Sequence, residues 1–218
     1  MLVDKTEYLT AGVHIGMKSC TPYMKQFVYK TRDDGLSVFN LQKVDERIKI
    51  AADFISNFDN VLVVSRKENA AKALNTFAKA TGFKKIAGRF SPGTLTNPSY
   101  KDFFEPEVVF IIDPLIDEQP IKEAKKKRIP IVSLCDTFNS ARDLDLVIPI
   151  NNNGKKALAL VFWIIAREMA KKKKFKFTLD DFGTEEEREE KPKSMVAELK
   201  ESMKKDSKKQ DKKSGGKA

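Results

Sequence analysis

Three short segments of the chain are apolar at consecutive positions: VLVVS at 61–65, VVFIID at 108–113 and IPIVSLC at 129–135. A strand with one wet face alternates polar and apolar side chains, whereas a strand apolar on both faces is covered on both, as in a parallel sheet between helical layers. Amphipathic stretches lie around these runs. In 43–58, Val44, Ile48, Ala51, Ile55 and Phe58 recur at three- and four-residue steps. In 68–81, Ala70, Ala73, Leu74, Phe77 and Ala78 do the same, and Gly82 follows as a stop. A short helix fits Gln119–Arg128 and a long one Lys155–Lys172. Further β-rich runs occur at Phe27–Lys30, Leu36–Asn40, Lys85–Ala87 and Leu146–Ile148, and the short TRDDG link after the first suits a hairpin. The pattern predicts a three-layer α/β domain with a mostly parallel central sheet, right-handed crossovers and an N-terminal antiparallel hairpin.

Charge divides the chain differently. Residues 1–170 hold 25 basic and 20 acidic side chains, while 171–218 hold 16 and 11, so the last stretch carries half of the net +10. Past Phe182 there is no aromatic residue, and the sequence becomes TEEEREEKPK and then KKDSKKQDKKSGGKA. Such a segment buries too little apolar surface to offset its ordering entropy. A folded domain over 1–178 and a disordered, charged C-terminal tail over 179–218 are therefore expected. The tail serves solubility or acts as an electrostatic arm toward a polyanion or a neighbouring protein. Cys20 and Cys135 lack partners at metal or redox spacing and read as free thiols of a reducing compartment. The opening MLVDK brings charge too early for a secretory signal, and the longest apolar run, Ala157 to Ala166, is about half of a membrane span. Neither secretion nor membrane insertion is expected.

Enzyme chemistry finds little support. None of the ten glycines has another two residues on, which excludes a dinucleotide fingerprint. Gly88-RFSP-Gly93-Thr94 lacks the lysine of a phosphate loop, and Pro92 and Pro98 stop a helix from opening there. His14 is the one histidine of the chain, and it has no triad partners in sight. It is read as a structural or RNA-contacting residue. Asp113 and Asp136 end strands and could hold Mg²⁺, but acids at such positions commonly form turns and helix caps.

Polyanion contact has better candidates. The loop GRFSPGTLTNPSY (88–100) opens with Arg89 and offers Thr94, Thr96 and Asn97 to phosphate or ribose, with Gly93 allowing close backbone approach. Lys18, Lys25, Lys30 and Arg32 surround the hairpin, with His14 before it. Arg66 and Lys67 follow a strand, and Lys155 and Lys156 oppose the dipole of the helix they start, a conflict an anion would relieve. Lys125–Arg128 sits at a helix C-terminus, where cations are favourable without a ligand. No zinc finger or aromatic-rich RNA-recognition strand is present, so shape and backbone recognition of folded RNA is the expected mode.

These residues also carry a family resemblance. AGVHIG (11–16), DERIKIAADFI (45–55), GRFSPGTLTNP (88–98), PEVVFIIDPLIDEQPIKEAKKKRIPIVSLCDT (106–137) and DLVIPINNNGKKALALVFWIIARE (145–168) closely resemble the S-two family of small-subunit ribosomal proteins. The likeness covers roughly 5–178. Only PSYKDFFE separates Asn97 from Pro106, where bacterial members carry a long coiled-coil insertion, so the chain is similar to the archaeal form. DTFNSARDLD (136–145) departs from the usual DTDN-type wording. The resemblance implies a flavodoxin-like three-layer fold in the cytoplasm, on the small subunit between head and body. It implies small-subunit rRNA and neighbouring ribosomal proteins as partners, with no catalysis, cofactor, membrane or small-molecule substrate. The competing expectation is a stand-alone flavodoxin-like ligand or Mg²⁺-binding domain using Asp113 and Asp136.

Overall fold

In the computed structural model, which describes residues 1–172 and Phe182, the consecutive apolar runs become inner strands of one parallel sheet. Strands β3 (Val61–Ser65), β4 (Lys84–Ala87), β5 (Val108–Ile111), β6 (Ile131–Cys135) and β7 (Leu146–Pro149) lie in the order β4-β3-β5-β6-β7. Every pairing is parallel, so the sheet expected to be mostly parallel is wholly so. β3, β5 and β6 are buried at every position, as their sequences demand. The strand order is the flavodoxin-like one, and it reverses direction between β3 and β5. The hairpin stands apart as β1 (Val28–Thr31) against β2 (Ser37–Phe39), antiparallel.

Alternate side chains of each strand feed two cores. Val61, Val63, Val108 and Phe110 meet α2 (Leu41–Ile55), α3 (Glu68–Thr81) and α5 (Lys155–Ala170) on one face. There the rings of Phe77, Phe110 and Phe162 pack mutually at 5.1–6.2 Å, each fully buried and contributing about 1.5–3 kcal/mol through lost hydration. Leu62, Val64, Val109 and Ile111 form the second face with Ile121 and Ala124 of α4 (Glu118–Lys127). Among the described residues that face has one helix. The connection from β4 to β5 contains none, and its Phe90 and Leu95 pack on the sheet instead. The outer layer is thus half helix and half loop.

Local signals set the element ends. Asn40 caps α2 by accepting from the Gln42 N–H at 3.0 Å, so the helix starts at Leu41, three residues before Val44, the first periodic position. Gly82 takes φ 77° at the end of α3 and returns its N–H to the Ala78 carbonyl, the expected stop. The short α1 (Lys5–Thr10) has no counterpart in the sequence pattern. With Tyr8 as its sole buried residue it offers no periodicity to read. Tertiary contact fixes it: Tyr8 hydroxyl and Leu2 N–H both donate to Asp45 Oδ1, at 2.9 and 2.7 Å. Both cysteines are free, and burial pushes the Cys135 thiol up to about 12. The tail expected over 179–218 lies outside the described residues except for Phe182, whose ring is buried in the first core.

Candidate nucleic-acid interface

Ligands of open α/β sheets bind beyond the carboxyl ends of the strands, where the strand order reverses. Here that crevice is closed by the chain itself. Lys67, just past β3, places its ammonium 2.6 Å from the Asp113 carboxylate, just past β5, with side chains 10% and 1% exposed. The same ammonium donates to the Asn152 carbonyl and side-chain oxygens at 3.1 and 3.0 Å and to Asn153 Oδ1 at 2.7 Å. Asp113 Oδ1 accepts from Asn139 Nδ2 and the Leu115 N–H, both at 3.0 Å. Asn152 Nδ2 donates onward to Asn139 Oδ1, which also receives the Asp136 N–H. A small anion or Mg²⁺ would have to displace this buried network. Among the described residues no group of His, Cys, Asp or Glu is arranged to hold a metal ion.

Asp136 faces the hairpin side. Its Oδ1 accepts from the Thr137 and Met17 N–H groups at 2.6 and 3.3 Å, and its Oδ2 from Asn153 Nδ2. Burial raises its carboxyl above the usual range, and these donors only partly oppose it. The contact ties the 14–17 segment to the sheet. His14 and Gly16 backbones pair with β2, the Phe39 N–H donating to the His14 carbonyl and the Gly16 N–H to that of Ser37. Thr21 donates its N–H to the Thr137 carbonyl and its hydroxyl to that of Asn139. The hairpin therefore sits at the carboxyl ends of β6 and β7. His14 is partly buried, and its Nδ1 has no hydrogen-bond partner among the described residues.

The loop 88–100 turns inward more than its composition suggests. Glu123 of α4, 3% exposed, accepts from the Gly93 and Leu95 N–H groups at 2.8 and 3.1 Å and from the Thr96 hydroxyl at 3.3 Å. Burial alone would raise this carboxyl. The Gly93, Gln119, Leu95 and Thr96 donors together hold it below the usual range. Thr94, singled out as a phosphate contact, is buried and donates to the Ser91 carbonyl. Asn97 is exposed with its side-chain oxygen on the Ser99 N–H. The backbone nest that glycine and hydroxyl residues build for an anion is occupied by an internal carboxylate.

What the fold does bring together is a rim. Lys18, Lys25, Lys30, Arg32, Arg66, Arg89, Lys155 and Lys156 are all exposed; Lys18 and Lys25 lie in the segment that leads into the hairpin, Lys30 and Arg32 in the hairpin itself, and the other four follow the carboxyl end of a sheet strand. Lys67 belongs to this set by position, but its charge is engaged inside. Lys125–Lys127 end α4 at the opposite, amino end of β6, with Lys125 2.6 Å from Asp143. Sequence reasoning passed over Tyr29, 71% exposed in β1, and Tyr23, 44% exposed. A tyrosine in a short β-rich run reads as half-buried, but β1 pairs with β2 alone among the described residues and is exposed from Tyr29 to Thr31. It also passed over Asp117. This side chain lines a cleft of about 210 Å³ with Arg66 and Arg89. Its Oδ1 accepts from the Arg66 N–H at 3.0 Å, and burial, aided by the Asp113 charge, pushes its carboxyl up to about 6.

Comparison with known proteins places these features in a family context. The family model described as "Ribosomal protein S2" matches residues 8–102 and 100–172. The chain is 46% identical over 175 residues to the "Small ribosomal subunit protein uS2" of Staphylothermus marinus, covering 79% of this chain and 80% of that one.

Proposed function

Because the chain belongs to the ribosomal protein S2 family, we propose that it is a non-catalytic structural constituent of the small ribosomal subunit in the cytoplasm, docking on rRNA and neighbouring ribosomal proteins. The observation that carries the reading is the carboxyl rim. Exposed cations gather where α/β sheets bind ligands, yet Lys67 and Asp113 close the crevice a small molecule would use. A charged surface whose central crevice is closed suits a polyanion recognised by its backbone. Lys18, Lys25, Lys30, Arg32, Arg66, Arg89, Lys155 and Lys156 contact phosphates directly, with His14, Thr96 and Asn97 as flanking polar groups. Lys67 and Thr94 act through the fold, holding the rim and the loop in place. The body, 1–178, docks, and the charged segment 179–218 adds electrostatic reach.

The test is sedimentation of lysate under conditions that separate subunits, together with binding of the purified chain to small-subunit rRNA at several salt concentrations. Stoichiometric migration with the small subunit is expected, with log affinity falling by about 0.7–0.9 per neutralised phosphate for each log unit of salt. Lys30→Glu with Arg32→Glu should weaken binding, while Lys126→Glu at the opposite end should not. Migration as a free chain, or equal effects of both variants, would remove the support for the reading.

A further inference from the structure

The cleft beside the rim has a composition of its own. Arg66 and Arg89 stand at its edge, exposed, and Phe90, Pro92 and Pro120 supply apolar wall. Asp117 is 3% exposed within it, and while its Oδ1 takes the Arg66 N–H, its Oδ2 has no hydrogen-bond partner among the described residues. A buried carboxylate oxygen left without a donor has lost its hydration with nothing in exchange. The site therefore asks for two things at once, an anion for the guanidinium groups and a donor for Asp117. At about 210 Å³ it is smaller than the ~300–1,000 Å³ of sites that enclose a whole small molecule.

One polymer offers both within a few bonds. The RNA backbone carries a 2′-hydroxyl donor next to its 3′-phosphodiester, whereas the DNA backbone has the anion and no donor. An acidic peptide brings anions too, but its carboxylates would lie against Asp117 itself. Resting on the ribosomal reading above, we propose that this cleft seats one ribonucleotide of the rRNA backbone. The phosphodiester lies between the Arg66 and Arg89 guanidinium groups, and the adjoining ribose 2′-hydroxyl donates to Asp117 Oδ2. The apolar wall packs on the sugar. With its carboxyl titrating at about 6, Asp117 is ionised at neutral pH and accepts only, so a donor is what it selects.

The experiment uses the full chain and small-subunit rRNA transcripts carrying random 2′-deoxy substitutions, with bound molecules recovered and mapped. Wild type should show a nucleotide at which 2′-deoxy substitution lowers recovery at least about fivefold, as expected for one hydrogen bond to a charged group. Asp117→Ala should erase the interference at that nucleotide and leave other positions unchanged. Arg66→Gln and Arg89→Gln, at exposed positions that leave the core intact, should each reduce interference there, and the two together should make the salt slope shallower by about 0.7–0.9. An interference map identical in wild type and all three variants overturns the site while leaving the ribosomal reading standing. An identical map combined with loss of a protein neighbour from the subunit would assign the cleft to a peptide instead. If wild type recovers no rRNA at all, the ribosomal reading fails with it.

Discussion

Lys67 and Asp113 face each other at 2.6 Å across the point where the strand order reverses, with the carboxylate 1% exposed. This pair occupies the place a ligand takes in sheets of this order, so the chemistry of the crevice is turned into structure. Removing one partner leaves a charge buried without its counter-ion, which costs about 3–5 kcal/mol. Lys67→Met should lose that much in urea unfolding, whereas Lys67→Met with Asp113→Leu should recover only part of it, because Asn139, Asn152 and the Leu115 N–H still lose a partner. A loss below about 1 kcal/mol for the single variant would mean that the pair is solvated rather than closed.

Gly16 marks the join between hairpin and sheet. A Cβ at this position would stand 2.5 Å from Thr137 Cγ2 and 3.2 Å from both Asp136 Oδ1 and the Ser37 carbonyl. Gly16→Ala is expected to cost about 1–3 kcal/mol by overpacking. Hydrogen exchange should locate the damage at the Met17 and Thr21 amides, which bond to Thr137. Thr137→Ser removes the offending methyl, so adding it to Gly16→Ala should restore part of the loss. Uniform exchange changes across the sheet would contradict the assignment of the clash to this join.

The sheet was readable because its inner strands are apolar at successive positions, a pattern with few alternatives at that length. Gly82 and the α3 periodicity fixed a helix end for an equally local reason. The loop 88–100 was only half readable. Glycines and hydroxyl residues suit an anion whether it comes from a nucleic acid or from Glu123, and the choice is made by α4, some thirty residues away in sequence. Lys67 posed the same difficulty, since a lysine after a strand looks solvated until Asn152 and Asp113 converge on it. Tyr29 carries no local signal of its exposure, which follows from β1 being an outer strand, paired with β2 alone among the described residues and exposed from Tyr29 to Thr31.

Glu123 should make the loop acid-sensitive. Its folded pKa lies below the ordinary value of 4.5 because Gly93, Gln119, Leu95 and Thr96 donors outweigh the burial that would raise it. A depressed carboxyl contributes stability above its unfolded pKa and loses it as pH falls through the folded value. Glu123→Gln replaces one accepting oxygen by an amide that cannot receive the Gly93 or Leu95 N–H. About 1.5–3 kcal/mol should be lost at pH 7, the range for a hydrogen bond to a charged group. The wild-type advantage should shrink below about pH 4.5, as followed by urea unfolding across pH 3–7. A constant difference over that range would place the energy in packing rather than in the charge.

Asp117 should act with the opposite sign. Its folded carboxyl titrates at about 6 against an ordinary 3.8, so the fold favours the neutral acid. Below pH 4 both folded and unfolded forms are protonated and nothing is lost. Between about pH 4 and 6 the unfolded chain ionises first, and wild-type stability falls as pH rises, levelling off above. Burial drives this and the Asp113 charge adds to it, while the Arg66 N–H, an Asp113 backbone contact and the Lys67 charge oppose it. The rise from 3.8 to about 6 corresponds to at most about 3 kcal/mol. Asp117→Asn keeps an oxygen for the Arg66 N–H and removes the charge, so the free chain should melt higher than wild type at pH 7.5 and equally at pH 3.5. Melting curves over that interval, with no RNA present, decide the point. A variant no more stable than wild type at pH 7.5 would show that the ionised Asp117 oxygen is already satisfied in the free protein, and the cleft would then lose its reason to bind a donor.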